Sequence, residues 1–550
     1  MPRLTTIASL LTAGQALAVS TVHVPVNSSR AVLRPDAYGY SIEPSSLSPY
    51  LQSTIASTVL KTIADIIGVA PPIRVGGNVA DQTLFIPDLD VPCVAEPNDT
   101  TVEVLKIRDD WFRDWTGYFP PGTDFTYTLN LRNTSHAWAH AMQEAAAAME
   151  ALGESLALFE LGNEIDHYIS KGWRDDSWGT SEYTRQWKRL TGQILASDFY
   201  HQASHRPLFQ AAVFADPPWV PDQHDEIDDF DIINATKAGL VDPEIISGYA
   251  VHLYPQSTCD EVRRARLSLD LLSNHQVVWT NLSQYIPQQE AAKRAHAPLI
   301  LGETNSASCS GQSGISDTFG AALWTTDYVL AAASIGIEQV YFHLGHQSEY
   351  SAFTPLPYEY EGEGLTAGVR ANIYSHLFLA HILATTTNNN NNNNNNNDNN
   401  DSPLQISALP SANASDFSGY AIFSESKHKH LQSRLEKLVF IDMGVWNASV
   451  GLANPSTLAA TDSTSVSPGQ RPAREVRVQT PWPSGTEVQF IRLRGPGTNA
   501  KSEVDVSGVS LDLASGEPVG VLRAEKAVVR EGGGVEVSLR RAEAVLIQLV

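Results

Sequence analysis

Short apolar runs and longer amphipathic stretches alternate along most of this chain, the arrangement that builds a parallel sheet covered by helices. Eight runs read as strands: Tyr38 to Ile42, Ile73 to Val75, Phe125 to Leu131, Leu156 to Leu161, Leu208 to Val213, Ser247 to Leu253, Pro298 to Leu301 and Gln339 to His343. Between them, Leu51 to Gly68, Ser135 to Leu152, Ser181 to Tyr200, Ser283 to Ala295 and Asp317 to Gly336 carry helical patterning, and Val369 to Ala384 follows the last strand. Eight such units predict an α/β fold, a (β/α)8 TIM barrel over residues 33–384. A run of asparagines from Asn388 to Asn400, broken only by Asp398, then interrupts the pattern and has too little apolar surface to fold, so a disordered loop is expected at 388–400. Past it the texture becomes short alternating stretches separated by Gly, Pro and Ser turns: Tyr420 to Ser424, Leu438 to Asp442, Glu475 to Val478, Val488 to Arg492 and Ala544 to Leu549. Residues 385–550 therefore read as an antiparallel β domain.

The chain's 550 residues are too many for one ordinary domain, in keeping with a large unit and a smaller one. Residues 1–18 hold one Arg, an apolar stretch from Ile7 to Leu17 and the small-x-small end Ala16-Leu17-Ala18, the pattern of a signal peptide cut before Val19. Export is also expected from the spread of Asn-x-Ser/Thr acceptors, at Asn27, Asn98, Asn133, Asn234, Asn281, Asn400, Asn413 and Asn447. No later segment has the uninterrupted apolar length of a membrane span. A formal charge of −24 argues against nucleic acid, which needs a basic footprint, and gives no long-range attraction for an acidic sugar. Three cysteines allow one internal disulfide; Cys259 with Cys309 is favoured because each follows a predicted strand on the same face, with three buried thiols as the alternative. Cys93 would then be a free thiol.

Two glutamates close apolar runs beside glycine: Glu164 in Phe159-Glu160-Leu161-Gly162-Asn163-Glu164, and Glu303 in Leu299-Ile300-Leu301-Gly302-Glu303. On the fourth and seventh strands of a barrel, both would project over one mouth. Alone, Asn163-Glu164 could be a capping amide and a solvated acid. Two acids over one mouth are instead the minimum machinery for cleaving a glycosidic bond. Glu164 is assigned as acid/base and Glu303 as nucleophile, and carboxyl groups about 5 to 5.5 Å apart would give a retaining double displacement. Asn163 suits a hydrogen bond to a sugar 2-hydroxyl. Around the pair, Glu43, Asn78, Asp81, Asn130, His252, Tyr254 and His343 end other strands and are expected to face the mouth as sugar contacts, although each singly suits a structural role as well. The histidines lack ligand spacing and the cysteines lack a CxxC pair, so no metal is expected; without a phosphate loop or dinucleotide fingerprint, no cofactor is expected either.

Taken together, Ile73-Arg74-Val75-Gly76-Gly77-Asn78 with Asp81, Glu160-Leu161-Gly162-Asn163-Glu164, Val251-His252-Leu253-Tyr254-Pro255, and Gly302-Glu303-Thr304-Asn305-Ser306 followed by Ser316-Asp317-Thr318-Phe319-Gly320 resemble glycoside hydrolase family 79, the β-glucuronidase and heparanase group, and its fungal secreted members most. The resemblance covers most of the chain. It implies a C-terminal β-sandwich that the N-terminal strand (residues 19–32, with Thr21 to Val26 as its core) joins. It also implies exo-acting hydrolysis of terminal, 4-O-methylated or plain, β-glucuronic acid from a glycan, with Gly345 and Tyr350 in the segment that holds the sugar carboxylate through neutral donors. The alternatives are a heparanase-like endo-enzyme or another glycosidase of the same barrel type, and a non-catalytic glycan-binding protein.

Overall fold

Eight parallel strands close on themselves in the computed structural model, which describes residues 18–25, 28–96, 104–132, 135–217, 230–384, 403–424, 433–459 and 465–550. They are β1 (Tyr38–Ile42), β2 (Ile73–Val75), β3 (Phe125–Leu129), β4 (Leu156–Leu161), β5 (Leu208–Phe214), β6 (Ile246–Leu253), β7 (Leu299–Thr304) and β8 (Ile337–Leu344). β8 lies beside β1, with His343 opposite Ser41 and Leu344 opposite Ile42, which seals the barrel. The predicted runs and the observed strands differ mostly at their ends. The largest change matters for chemistry: β7 continues through Thr304, so Glu303 sits within the strand rather than in the loop after it.

Helices cover the barrel where the patterning places them, and their ends follow local chemistry. Thr54–Ile67 starts at Ser53, whose hydroxyl accepts the Ala56 N–H, and stops at Gly68, where a φ of 93° is free of strain only for glycine. The stretch read as one helix from Ser181 to Tyr200 is two, because Ala196 ends Thr180–Leu195 and Ser197 caps a new helix, Asp198–Gln202. Three short strands, Thr83–Phe85, Cys93–Glu96 and Val104–Ile107, form a small sheet after β2 that the patterning does not foretell.

The second unit is a sandwich. Its large sheet orders Ala31–Leu33, Leu404–Ala414, Phe417–Ser424, Arg434–Asp442, Glu543–Leu549 and Glu487–Arg494 side by side, and its small sheet holds Ala18–His23, Ala473–Gln479 and Gly534–Arg540. The N-terminal strand thus runs from Ala18 rather than Thr21, parallel to Ala473–Gln479. Alternation along the large sheet serves two cores. Ala421, Phe423, Leu438, Phe440, Val545 and Ile547 face the small sheet, while Tyr420, Ile422, Val439, Ile441, Ala544 and Leu546 join the core that fills the barrel side. Helices Phe319–Ser334 and Ile373–Leu383 lie on that second face and are apolar nearly all round, as a helix buried on every side must be. Two buried lysines tie the units: Lys501 Nζ lies 2.7 Å from Asp317 Oδ2, and Lys437 Nζ donates to the carbonyls of His381, Ile382 and Ala384, capping the C-terminus of Ile373–Leu383. The expected leader and the asparagine tract lie outside the described residues, as do acceptors Asn27, Asn98, Asn133 and Asn400. Among the other four, Asn413 is exposed on its strand, Asn234 and Asn281 are half-buried on helices, and the Asn447 side-chain oxygen is buried.

Candidate active site

Glu303 is held from both sides. Its Oε1 accepts the Tyr254 hydroxyl at 2.8 Å from the end of β6, and its Oε2 accepts Arg74 Nη1 at 2.8 Å from β2. Burial by itself would push this carboxyl up; the rings of His343 and His252 and the Arg74 guanidinium outweigh it and hold Glu303 below the usual carboxylate range. Of the three, Arg74 keeps its charge at every working pH, whereas burial pushes His343 toward its neutral form. The result is an ionised carboxylate with both oxygens oriented, which is the state a nucleophile needs.

Arg74 is wholly buried, and a lone guanidinium there would be prohibitively costly. Its Nε and Nη2 both reach Glu160 Oε1, at 2.9 and 2.6 Å, while Nη2 also meets Asn163 Oδ1 at 2.7 Å and Nη1 meets Ser41 Oγ at 2.9 Å. Thr128 and Gln210 donate the remaining bonds to Glu160. Neither Arg74 nor Glu160 stood out as a site residue in the sequence, yet an arginine flanked by Ile73 and Val75 in a buried strand has to find a carboxylate.

Glu164 follows β4 at a φ of 50°, a left-handed conformation that aims its side chain back over the barrel as the chain enters the turn Ile165–Tyr168. Gly162, at a φ of 76°, makes room for this turn: a Cβ there would lie 2.4 Å from the Tyr168 hydroxyl. His252 Nδ1 lies 3.1 Å from Glu164 Oε1, His167 Nδ1 3.5 Å from Oε2, and Lys171 Nζ 4.0 Å from Oε2. Burial would raise this carboxyl too, but the two histidines and the lysine hold it well below its ordinary value. A carboxylate oxygen of Glu164, one of Glu303 and a ring nitrogen of His252 all lie within 4.8 Å of one another. Glu43, after β1, completes the floor: its Oε1 accepts the Val79 N–H at 2.5 Å, and burial pushes it up to about 8, so it is a neutral acid at pH 7. His343 bridges it to the rest, with Nε2 3.8 Å from Glu43 and Nδ1 3.1 Å from Ser41 Oγ. The Tyr350 ring lies 6.3 Å from those of Tyr254 and His343.

Four expected sugar contacts are elsewhere engaged. Asp81 is fully buried behind the acid loop and accepts the N–H groups of Leu131 and Asn163 and the Tyr168 hydroxyl, so it shapes the loop rather than facing the mouth. Asn130 turns back as well, donating to the Thr83 carbonyl and accepting the Arg132 N–H. Asn78 is exposed at the rim, 2.6 Å from Lys171 Nζ, and the Gly345 N–H already donates to Ser351 Oγ. A strand-end polar residue can point at substrate or cap its own loop, and the residue type is the same in both cases. Cys259 and Cys309 are bonded, leaving Cys93 free, and they join the loops after β6 and β7 beside the site.

Residues 419–546 match the C-terminal β domain of glycosyl hydrolase family 79. A β-glucuronidase of Neurospora crassa is 27% identical over 559 residues, covering 94% of each chain, and one of Aspergillus niger is 25% identical, covering 90% of this chain and 86% of that protein. The fold is similar to that of a 4-O-α-L-rhamnosyl-β-D-glucuronidase from Fusarium oxysporum, with a TM-score of 0.74 and 21% identity over 96% of this chain and all of the other. It is also similar, at a TM-score of 0.57 and 12% identity, to an arabinofuranosidase from Xanthomonas axonopodis pv. citri, which extends the likeness of the barrel and sandwich beyond one activity. With its sandwich matched by the family's own domain and nearly its whole length aligned with two fungal relatives, the chain is a glycoside hydrolase similar to those of family 79.

Proposed function

We propose that this protein is a secreted, retaining exo-β-glucuronidase that removes terminal glucuronic acid from glycans. The observation that carries the mechanism is the approach of the two carboxylates, within 4.8 Å at their nearest oxygens, too close to leave room for a water between acid and base and suited to direct attack. Glu303 attacks the anomeric carbon while Glu164 gives its proton to the departing oxygen, and a covalent glycosyl-enzyme forms. Glu164, now ionised, takes a proton from water as that water attacks the same carbon, which frees Glu303 and restores the acid. Arg74 and Tyr254 keep the Glu303 oxygens aligned through both steps, and Asn163, fixed by Arg74 and Asp81, is the group expected to meet the 2-hydroxyl.

The uronic acid comes from the relatives, both β-glucuronidases. The pocket supports it: Arg74 is the cation nearest the nucleophile and is fully engaged, so the sugar carboxylate is left to neutral donors such as the Tyr350 hydroxyl, which burial keeps protonated. Export is supported by the leader-like N-terminus and the acceptor sites, and no helix among the described residues is long and apolar enough to cross a membrane. The test is hydrolysis of 4-nitrophenyl β-glucuronide beside the β-glucoside, β-galactoside and β-xyloside, with proton NMR of the first sugar released. Selective release of the β-anomer of glucuronic acid, lost in Glu303→Gln, is expected. An α-anomer as first product would discard retention, and cleavage of a neutral glycoside alone would discard the sugar.

A further inference from the structure

An acid that protonates a leaving group must carry a proton when substrate arrives. Glu164, read above as that acid, is nevertheless surrounded largely by positive or protonatable groups. His167 and Lys171 face it from its own loop and His252 from β6; against them stand Glu303 on β7 and Glu43 after β1, and Glu43 is neutral at pH 7. Arg74 of β2 stands behind Glu303. His167 differs from the others in having a second carboxylate of its own: its Nε2 lies 3.3 Å from Asp216 Oδ1 on the loop after β5, and its Nδ1 points at Glu164. An imidazole between two carboxylates can donate to both only when both nitrogens carry protons.

The neighbouring loops build this arrangement deliberately into the fold. Half-buried Asp166 accepts the N–H groups of Ala215, at 2.9 Å, and Asp216, at 2.8 Å, which ties the loop after β5 to the loop after β4 and sets Asp216 against His167. Asp216, and then Glu164, push the His167 imidazole up to about 10. No proton has to pass through His167, because in the retaining cycle the attacking water returns the proton to Glu164. Its charge is what acts.

We propose that His167, clamped by Asp216, is a positioning residue that keeps Glu164 ionised at neutral pH and so confines leaving-group protonation to acidic surroundings. The inference rests on Glu164 being the acid/base. A cation 3.5 Å from a carboxylate favours its ionised form, so removing the cation must make the acid easier to protonate. The probe is kcat/KM against pH for methyl β-glucuronide, whose poor leaving group depends on the acid. In His167→Asn the falling basic limb should move up by about one pH unit, a tenfold larger share of the acid form above it. Asp216→Asn should move it the same way by less, and His167→Arg, which keeps a cation, should leave it in place. A His167→Asn profile lowered at every pH with its limb unmoved, or a limb moved down, would overturn the proposal. The acid/base assignment is checked apart from it: Glu164→Ala acting on 4-nitrophenyl β-glucuronide should be rescued by azide to give a β-glycosyl azide, and without rescue it is Glu164 itself that has been misassigned.

Discussion

A buried arginine between two carboxylates, as Arg74 is between Glu160 and Glu303, is indispensable to both, since either acid left unpaired there costs several kcal/mol. Arg74 makes five hydrogen bonds to four groups at once because a guanidinium presents donors on three nitrogens in a fixed plane. A lysine ammonium at the same place has one nitrogen and cannot span from Glu160 and Asn163 on one side to Ser41 and Glu303 on the other. If Glu303 is the nucleophile, Arg74→Lys is therefore expected to fold but to lose on the order of 10²-fold in kcat as that carboxylate drifts from its line of attack. Arg74→Met should lose about 3–5 kcal/mol of stability instead. Steady-state kinetics and thermal melts separate the two, and a kcat for Arg74→Lys close to wild type would leave Tyr254 alone as the aligning group. The two glutamates were legible because each closes an apolar run beside glycine, Glu164 in Gly162-Asn163-Glu164 and Glu303 in Gly302-Glu303. Arg74 was visible as a misplaced charge, but its partners were not, because they come from strands 86 and 229 residues further on.

At the scale of elements, the alternation of short, mostly apolar stretches with helical ones located every barrel strand, even the three-residue β2, whose Ile73 and Val75 flank the buried Arg74. The three-stranded insertion after β2 escaped because strands of three or four residues with mixed burial carry no period. Of the loop-to-loop contacts, the Cys259–Cys309 pairing was expected but the hydrogen bonds around it were not, and together they matter for the pocket. The Cys259–Cys309 bond and the Thr258 hydroxyl, which donates to the Ser308 and Cys309 carbonyls, fasten the loop after β6 to that after β7. The fastened segment then accepts the Tyr350 N–H at Ser310 O and the Ser348 hydroxyl at Ser310 Oγ. With both cysteines changed to serine, stability should fall by about 2–4 kcal/mol. If Tyr350 binds the sugar carboxylate, KM should also rise about tenfold, the worth of one misplaced hydrogen bond, with kcat little changed. An unchanged KM in a destabilised variant would show that the bond supports folding only.

For the whole molecule, the large sheet works as a partition with an apolar core on each face, and burying so much of the chain traps titratable groups far from water. These groups pull stability in opposite directions as pH changes. Glu144, wholly buried on the helix Ser135–Leu152 and accepting the Tyr127 hydroxyl at 3.0 Å, is pushed by burial up to about 8. Raised above its unfolded value, it keeps its proton in the folded state while the unfolded chain gives it up, so the stability it supports is full below pH 4.5 and is lost as pH rises toward 8. His376 and His381, lowered by burial to about 3 and about 4, act the other way: their cost is present in acid and disappears as pH rises past 6.5. The slope of the whole protein is a small difference between such terms, and only a variant comparison isolates one of them. Glu144→Gln can still accept the Tyr127 hydroxyl and cannot ionise. At pH 5 its melting midpoint should lie near that of the wild type. By pH 7.5 it should gain on the wild type by a few kcal/mol, seen as roughly 2–5 °C for a protein of this size. A midpoint difference that stays constant from pH 5 to 7.5 would mean that Glu144 ionises in the folded protein as readily as in water, and that the buried side of the barrel is wetter than its packing implies.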